Sequence, residues 1–226
     1  MTNMLKMVLG IAIGVAILAL PAMASADGPH IDPAGASFSS EEGTWTLFAG
    51  EGVLPIVCDG PNHLLGKFDE GSNTTGEINI DYTHCHTKYL EADCRTTGAP
   101  LSYTIQVTNI RFETVYTTES KTSSGLLLTL PSSLFVPAIK ITCGTGTYEL
   151  KGSVMGAFTA PNCMESRKTA TLAFTATGNV QNQMQITGAG TYYDLQERAG
   201  GGSWRTAAVT TTTGLTFAET MTLTCI

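Results

Sequence analysis

Apolar residues recur at every second position along most of this chain, and that period constrains it to β-sheet. In EINIDY they are Ile78, Ile80 and Tyr82; in TATLAFTAT they are Leu172, Phe174 and Ala176. Successive strand side chains point to opposite faces, so such a pattern buries one face and wets the other. Threonine fills the positions between, as in VTTTTG, and β-branched residues suit an exposed pleat. Turn-forming clusters punctuate the runs: CDGPN, DEGSN, TTGAP, CGTG, APNC and RAGGGS. No stretch keeps helical spacing, although PSSLF at Pro131 has room for one short helical turn. About ten strands joined by short loops imply an all-β fold, an antiparallel β-sandwich or barrel-like domain with disulfides.

Two runs break phase. LSYTIQVTNIRF alternates through Leu101, Tyr103, Ile105 and Val107, then resumes at Ile110 and Phe112. One extra residue reverses the buried face, so Thr108–Asn109 marks a bulge or tight turn. In LTFAETMTLTC, Glu219 shares the phase of Leu215, Phe217, Met221 and Leu223. An unbroken strand would bury that carboxylate, at a cost of several kcal/mol unless it is paired or protonated. A bend at Ala218–Glu219 that turns the acid outward is the simpler reading, with Glu197, Arg198 and Arg205 as possible partners otherwise. MQITGAGTYYDL reads as a further strand through Met184, Ile186 and Tyr192, and adjacent Tyr192 and Tyr193 would face opposite ways.

The chain begins with a single charge, Lys6, then the apolar run Met7–Leu20, Pro21, and small residues at Ala24 and Ala26. That is the make-up of a signal peptide over 1–26. The run is shorter than the roughly 20 residues that span a bilayer, so no transmembrane segment is expected in the mature chain. Residues 27–43 are polar and rich in Pro and Gly, and read as a flexible lead-in with one short strand at most. Residues 44–226 then form a single secreted β domain.

All six cysteines lie beyond the signal segment, and an even number in an exported chain favours disulfides over thiol ligands. Fifteen connectivities are possible. Cys85–Cys94 is the most economical pair because it closes a short loop. Cys143 and Cys225 end the similar strands IKITC and MTLTC, and Cys58–Cys163 follows by elimination.

DYTHCHTKYLEADC carries the densest chemistry. His84 and His86 would share a strand face and suit zinc or copper, with His63, Glu91 or Asp93 to complete the set. Cys85 between them belongs with a disulfide, so a disulfide-closed loop is expected rather than a metal centre. Asp69, Glu70, Glu77 and Asp81 lack the ligand rhythm of a calcium loop. Asn73 in NTT fits an N-glycosylation sequon. There is no G-x-S-x-G, H-E-x-x-H, phosphate loop or dinucleotide fingerprint, so no catalytic residue and no cofactor is expected. The formal net charge is −7, and the basic residues are scattered, which argues against nucleic acid as partner. Trp45 and Trp204 are candidate binding aromatics.

ITCGTGTYELKGSVMGAFTAPNC, TATLAFTATGNVQNQMQITGAGTYYDLQ and GLTFAETMTLTC resemble a group of uncharacterised secreted proteins of high-G+C Gram-positive bacteria, from Ile139 to Cys225. The resemblance implies a signal peptide and a cysteine-bearing, Thr/Gly-rich β domain. It implies no activity and no site residues. The expected role is a non-enzymatic structural or binding module at or outside the cell envelope. The rival is a glycan-directed hydrolase that uses Glu219 with an acid near Asp69 or Asp81, and a metal binder built on His84, His86 and His63 ranks third.

Overall fold

A computed structural model describes residues 28–40, 44–48, 55–131, 139–178, 180–182 and 195–225. The signal segment 1–26, the helical turn after Pro131 and the strand of Met184, Ile186 and Tyr192 lie outside the described residues. The strands are, in chain order, β1 (His30–Asp32), β2 (Ser37–Ser40), β3 (Trp45–Phe48), β4 (Ile56–Cys58), β5 (His63–Phe68) and β6 (Thr75–Tyr82). Next come β7 (Cys85–Thr87), β8 (Cys94–Thr96), β9 (Ile105–Tyr116), β10 (Ser124–Thr129), β11 (Ile139–Cys143), β12 (Gly146–Lys151) and β13 (Ser153–Ala160). The last are β14 (Ser166–Phe174), β15 (Ala176–Thr177), β16 (Val180–Gln181), β17 (Gln196–Ala199), β18 (Arg205–Thr206) and β19 (Ala208–Thr224).

The sheet closes on itself. Eight antiparallel strands run β14-β13-β10-β9-β6-β5-β2-β19, and β19 returns to pair with β14. Closure removes the exposed edges that an open sheet would present. β19 is the seam: β14 lies along one side, and β3, β2 and β1 follow one another along the other. β3 leads on to β4 and β7, and a second sheet, β18-β17-β12-β11-β8, adds the apolar faces of Ile139, Ile141 and Leu150 to the same core.

A barrel of this size has little internal room, and cross-strand glycines create it. Phe38 faces Gly66, and Phe112 faces Gly76. A Cβ on Gly66 would lie 2.2 Å from the Phe38 ring, one on Gly76 2.4 Å from the Phe112 ring, and one on Gly156 2.7 Å from the Phe174 ring. The rings thus occupy the volume that the glycines vacate. Phe38, Phe68, Phe112 and Phe217 then pack together, with centroids 4.8 Å apart for Phe68–Phe112 and 5.3 Å for Phe38–Phe217. Farther along, Trp45 meets Tyr82 edge-on at 4.8 Å and Phe174 at 5.6 Å. On β5 and β6 the charged residues Lys67, Glu77 and Asp81 point away from this interior, the reverse of a barrel that faces lipid. Among the described residues no helix is long and apolar enough to cross a membrane.

Three expectations need correction. The lead-in contributes two strands: β2 belongs to the barrel wall, and Ile31 of β1 is fully buried against the end of β19. The strand expected from Leu101 begins only at Ile105, and Leu101 is exposed in a loop. The six cysteines pair as Cys58–Cys85, Cys94–Cys143 and Cys163–Cys225, not as Cys85–Cys94, Cys143–Cys225 and Cys58–Cys163. The reason is register. Cys58 stands opposite Cys85 on β4 and β7, and Cys94 opposite Cys143 on β8 and β11. These four thiols meet their neighbours in the sheet rather than in the sequence, while Cys163 in the β13–β14 turn meets Cys225 just past β19.

The separations of 27, 49 and 62 residues correspond to about 3.6, 4.1 and 4.3 kcal/mol of denatured-state restriction by the chain-entropy argument. Non-reducing peptide mapping should recover these three linkages. Gly66→Ala should lower stability by about 1–3 kcal/mol in denaturant unfolding, because the added carbon overpacks the Phe38 ring. Gly214→Ala, where a Cβ meets nothing within 4 Å, is the control and should change stability by less than about 0.5 kcal/mol.

Candidate functional site

The outer face of β2, β5, β6 and β19 forms an open cleft of about 980 Å³. Its concavity follows from β19. Arg167 pairs with Met221 and Thr169 with Thr216, so Phe217–Thr220 stand opposite Lys168 alone. A bulge of that size bends the strand and brings Lys168, Thr216 and Ala218 to one rim.

Register aligns two rows across this face, whose members Glu77, Lys67, Ser37, Asn79, Leu65, Ser39 and Thr216 line the cleft, with Arg111 and Thr169 continuing them beyond it. The first runs Arg111–Glu77–Lys67–Ser37 and alternates in charge. The second runs Asn79–Leu65–Ser39–Thr216–Thr169, amide and hydroxyl groups around one aliphatic side chain. Leu65 is 63% exposed there. Sequence reasoning missed Arg111, Lys67, Leu65 and Lys168 as site residues, because no local motif signals which residues pairing will align. The only trace was the outward phase of Leu65 and Lys67 in HLLGKF.

Of the acids proposed from sequence, Asp69 is already engaged. Arg111 grips Asp69 with two hydrogen bonds, Nη1 to Oδ1 at 3.0 Å and Nη2 to Oδ2 at 2.5 Å, and Thr75 Oγ1 donates to Oδ2 at 2.8 Å. The Arg111 bond is the main reason that Asp69 titrates below the usual aspartate value. Asp69 is therefore ionised, with its oxygens occupied. Asp81 sits at the other end of the hairpin opposite His63, five register steps from the Phe68–Gly76 pair. At about 3.4 Å per residue that is roughly 17 Å, so Asp69 and Asp81, the two alternative partners for Glu219, stand at opposite ends of the hairpin. Glu219 lies on the bulge and is exposed, as the outward bend anticipated. Glu113, which sequence analysis did not single out, is pushed above the usual glutamate range by burial. It stands outside this cleft, beside Leu127.

The histidines are separated too. β6 ends at Tyr82, and His84, with φ of 50°, is exposed and stacks on Tyr103 at 4.9 Å. His86 lies on β7, with Nε2 3.8 Å from Asp59 Oδ2, and His63 lies on β5. Among the described residues no group of three His, Cys, Asp or Glu side chains is placed to hold a metal ion. Asn73 Oδ1 accepts from His30 Nδ1 at 3.1 Å and its Nδ2 donates to Asp32 Oδ1 at 3.2 Å, so its amide is engaged with β1. Trp45 is buried in the core. Trp204 is held by Lys151 at 4.2 Å and Arg198 at 4.7 Å from its ring centroid, and Arg198 in turn pairs with Glu149. Neither tryptophan forms part of the cleft.

A second cavity, of about 80 Å³, lies inside the molecule where the barrel meets the second sheet. Barrel residues Val107 and Val154 and second-sheet residues Ile141 and Leu150 are among those around it. A void of that size corresponds to roughly 2 kcal/mol of forgone packing. Comparison with known protein families, curated proteins and solved structures found no match.

The two shifted carboxylates give opposite pH signatures. Asp69, held low, stabilises the fold above its unfolded value of about 3.9, and that stability is lost as pH falls through its folded value. Asp69→Asn should therefore lower stability at pH 7 by less than about 1 kcal/mol, with the difference shrinking under acid. Glu113, held high, weakens the fold once it ionises. Glu113→Gln should raise Tm at pH 7 by about 1–3 °C and lose that advantage near pH 4, in parallel thermal melts.

Proposed function

We propose that this chain is a secreted, non-enzymatic binding module that works outside the cytoplasm, at or near the cell envelope, and that its outer cleft takes an extended, hydroxyl-rich polymer such as envelope glycan. The observation that carries this reading is the row Asn79–Leu65–Ser39–Thr216 on the cleft floor. Amides and hydroxyls can both donate and accept, as a sugar's hydroxyls demand, and the exposed leucine offers an apolar patch to a ring's C–H face. The alternating Arg111–Glu77–Lys67 row neutralises itself, so the cleft carries no strong field of one sign.

The bound state of Asp69 supports binding over hydrolysis, because a carboxylate gripped by a guanidinium is poorly placed either to attack or to transfer a proton. The disulfides and the apolar run Met7–Leu20 support export, since disulfides persist in oxidising compartments. An acidic chain with −7 formal charge disfavours polyanions as the polymer.

The test is co-sedimentation of the mature protein with insoluble cell-wall glycan. Retention is expected, and Asn79→Ala and Ser39→Ala should each weaken it about fivefold, the equivalent of one hydrogen bond at about 1 kcal/mol. Release of soluble sugar that Asp69→Asn or Glu219→Gln abolishes would establish a hydrolase instead. Absence of retention would remove the polymer reading.

A further inference from the structure

The interior cavity is a different kind of site from the outer cleft. It lies across the wall: Asn79 of β6 faces the cleft, while Ile80 of the same strand faces the cavity. Its surroundings are mainly aliphatic side chains of both sheets, together with Trp45, Tyr82, Thr46 and Cys58, and no Asp, Glu, Lys, Arg or His is among the described residues around it. Burial alone pushes the Tyr82 hydroxyl far above the usual phenol range, so this side chain stays neutral.

Among the described residues that line it, only Trp45, Thr46 and Tyr82 carry a polar side-chain hydrogen, so water gains few hydrogen bonds there. A charged ligand would be stripped of its hydration without compensation. The volume, about 80 Å³, is roughly half that of an engineered aliphatic cavity of about 150 Å³ that accepts benzene or xenon. Elsewhere the interior is filled closely, with Phe rings over glycines at under 3 Å from a would-be Cβ. The same barrel thus packs one end tightly and leaves the other open where the second sheet joins it.

We propose that the space between the barrel and the β11–β12 face is a binding site for a compact, uncharged, apolar molecule of a few carbon atoms. The site is independent of the outer cleft, and either can fail without the other. Its walls are held in place by disulfides on two sides: Cys58 is itself a cavity residue, and Cys94–Cys143 joins β11 to β8. Pre-formed walls lower the ordering that binding would otherwise require.

The experiment uses the mature, disulfide-bonded protein with xenon and propane as probes and hexanoate as the charged control, read by methyl NMR. Both neutral probes should saturably shift the methyl resonances of Ile80, Ile105, Ile141 and Leu150 and leave unmoved Ile31, whose amide donates to the Asn73 carbonyl oxygen beyond the phenylalanine end of the β5–β6 hairpin. Hexanoate should shift none of them. The double variant Val107→Ile, Val154→Ile should fold with unchanged or higher Tm and bind xenon at least tenfold more weakly. Absent shifts, shifts spread evenly over all methyls, or equal binding of hexanoate would each overturn the site. If the double variant proves too unstable to study, the wild-type shifts alone decide the matter.

Discussion

The contact on which this architecture depends is an aromatic ring lying over a glycine on the neighbouring strand. Phe38 over Gly66, Phe112 over Gly76 and Phe174 over Gly156 leave no space for even a methyl group beneath the ring. Eight strands closed on one another enclose too little volume for large side chains at every inward position. Pairing the largest residues with the smallest lets the wall close and still fills the interior at the density proteins require. The glycines contribute little on their own, and in a strand they weaken it. Their value lies in the partner ring.

Once the wall is closed, irregularities in two strands decide what its outside presents. At Thr108–Asn109 the β6–β9 register shifts opposite Asn79, and Asn109 takes a φ of 58°. Asn79 Oδ1 accepts from the Asn109 amide there at 2.9 Å, so the same side chain both closes the bulge and stands in the cleft row. The larger bulge on β19 turns Glu219 outward and supplies the cleft rim. Both devices solve a burial problem: continued alternation would have put polar groups into the core or apolar ones into water. The concave outer surface is a by-product of that solution.

Each disulfide reinforces one sheet: Cys58–Cys85 joins β4 to β7 on the barrel's extension, and Cys94–Cys143 joins β8 to β11 in the second sheet. Cys58–Cys85 and Cys94–Cys143 lie among buried core residues, whereas Cys163–Cys225 ties the end of β19 to the turn between β13 and β14. The first two stand where the β7 and β8 segments pass from the barrel's extension to the second sheet, with a bridge from His86 to Asp93 between them. His84, Cys85 and His86 therefore owe their proximity to a structural crossing. Cys85 faces its partner, while His84 stacks on Tyr103 and His86 lies near Asp59.

What the residues decided alone was periodicity. Alternation is a local property, because each side chain's face follows from its neighbour's. It yielded the all-β class, the bulge at Asn109 and the outward turn at Glu219, while the even cysteine count pointed to disulfides. Tertiary structure decided everything that depends on which strand lies beside which. The cysteine partners, the closure of β14 on β19, the recruitment of Ile31 and Phe38 from a polar segment, and the row from Asn79 to Thr169 all join residues far apart in the chain. Register between strands is set by packing of the whole interior, and no short stretch of sequence contains it.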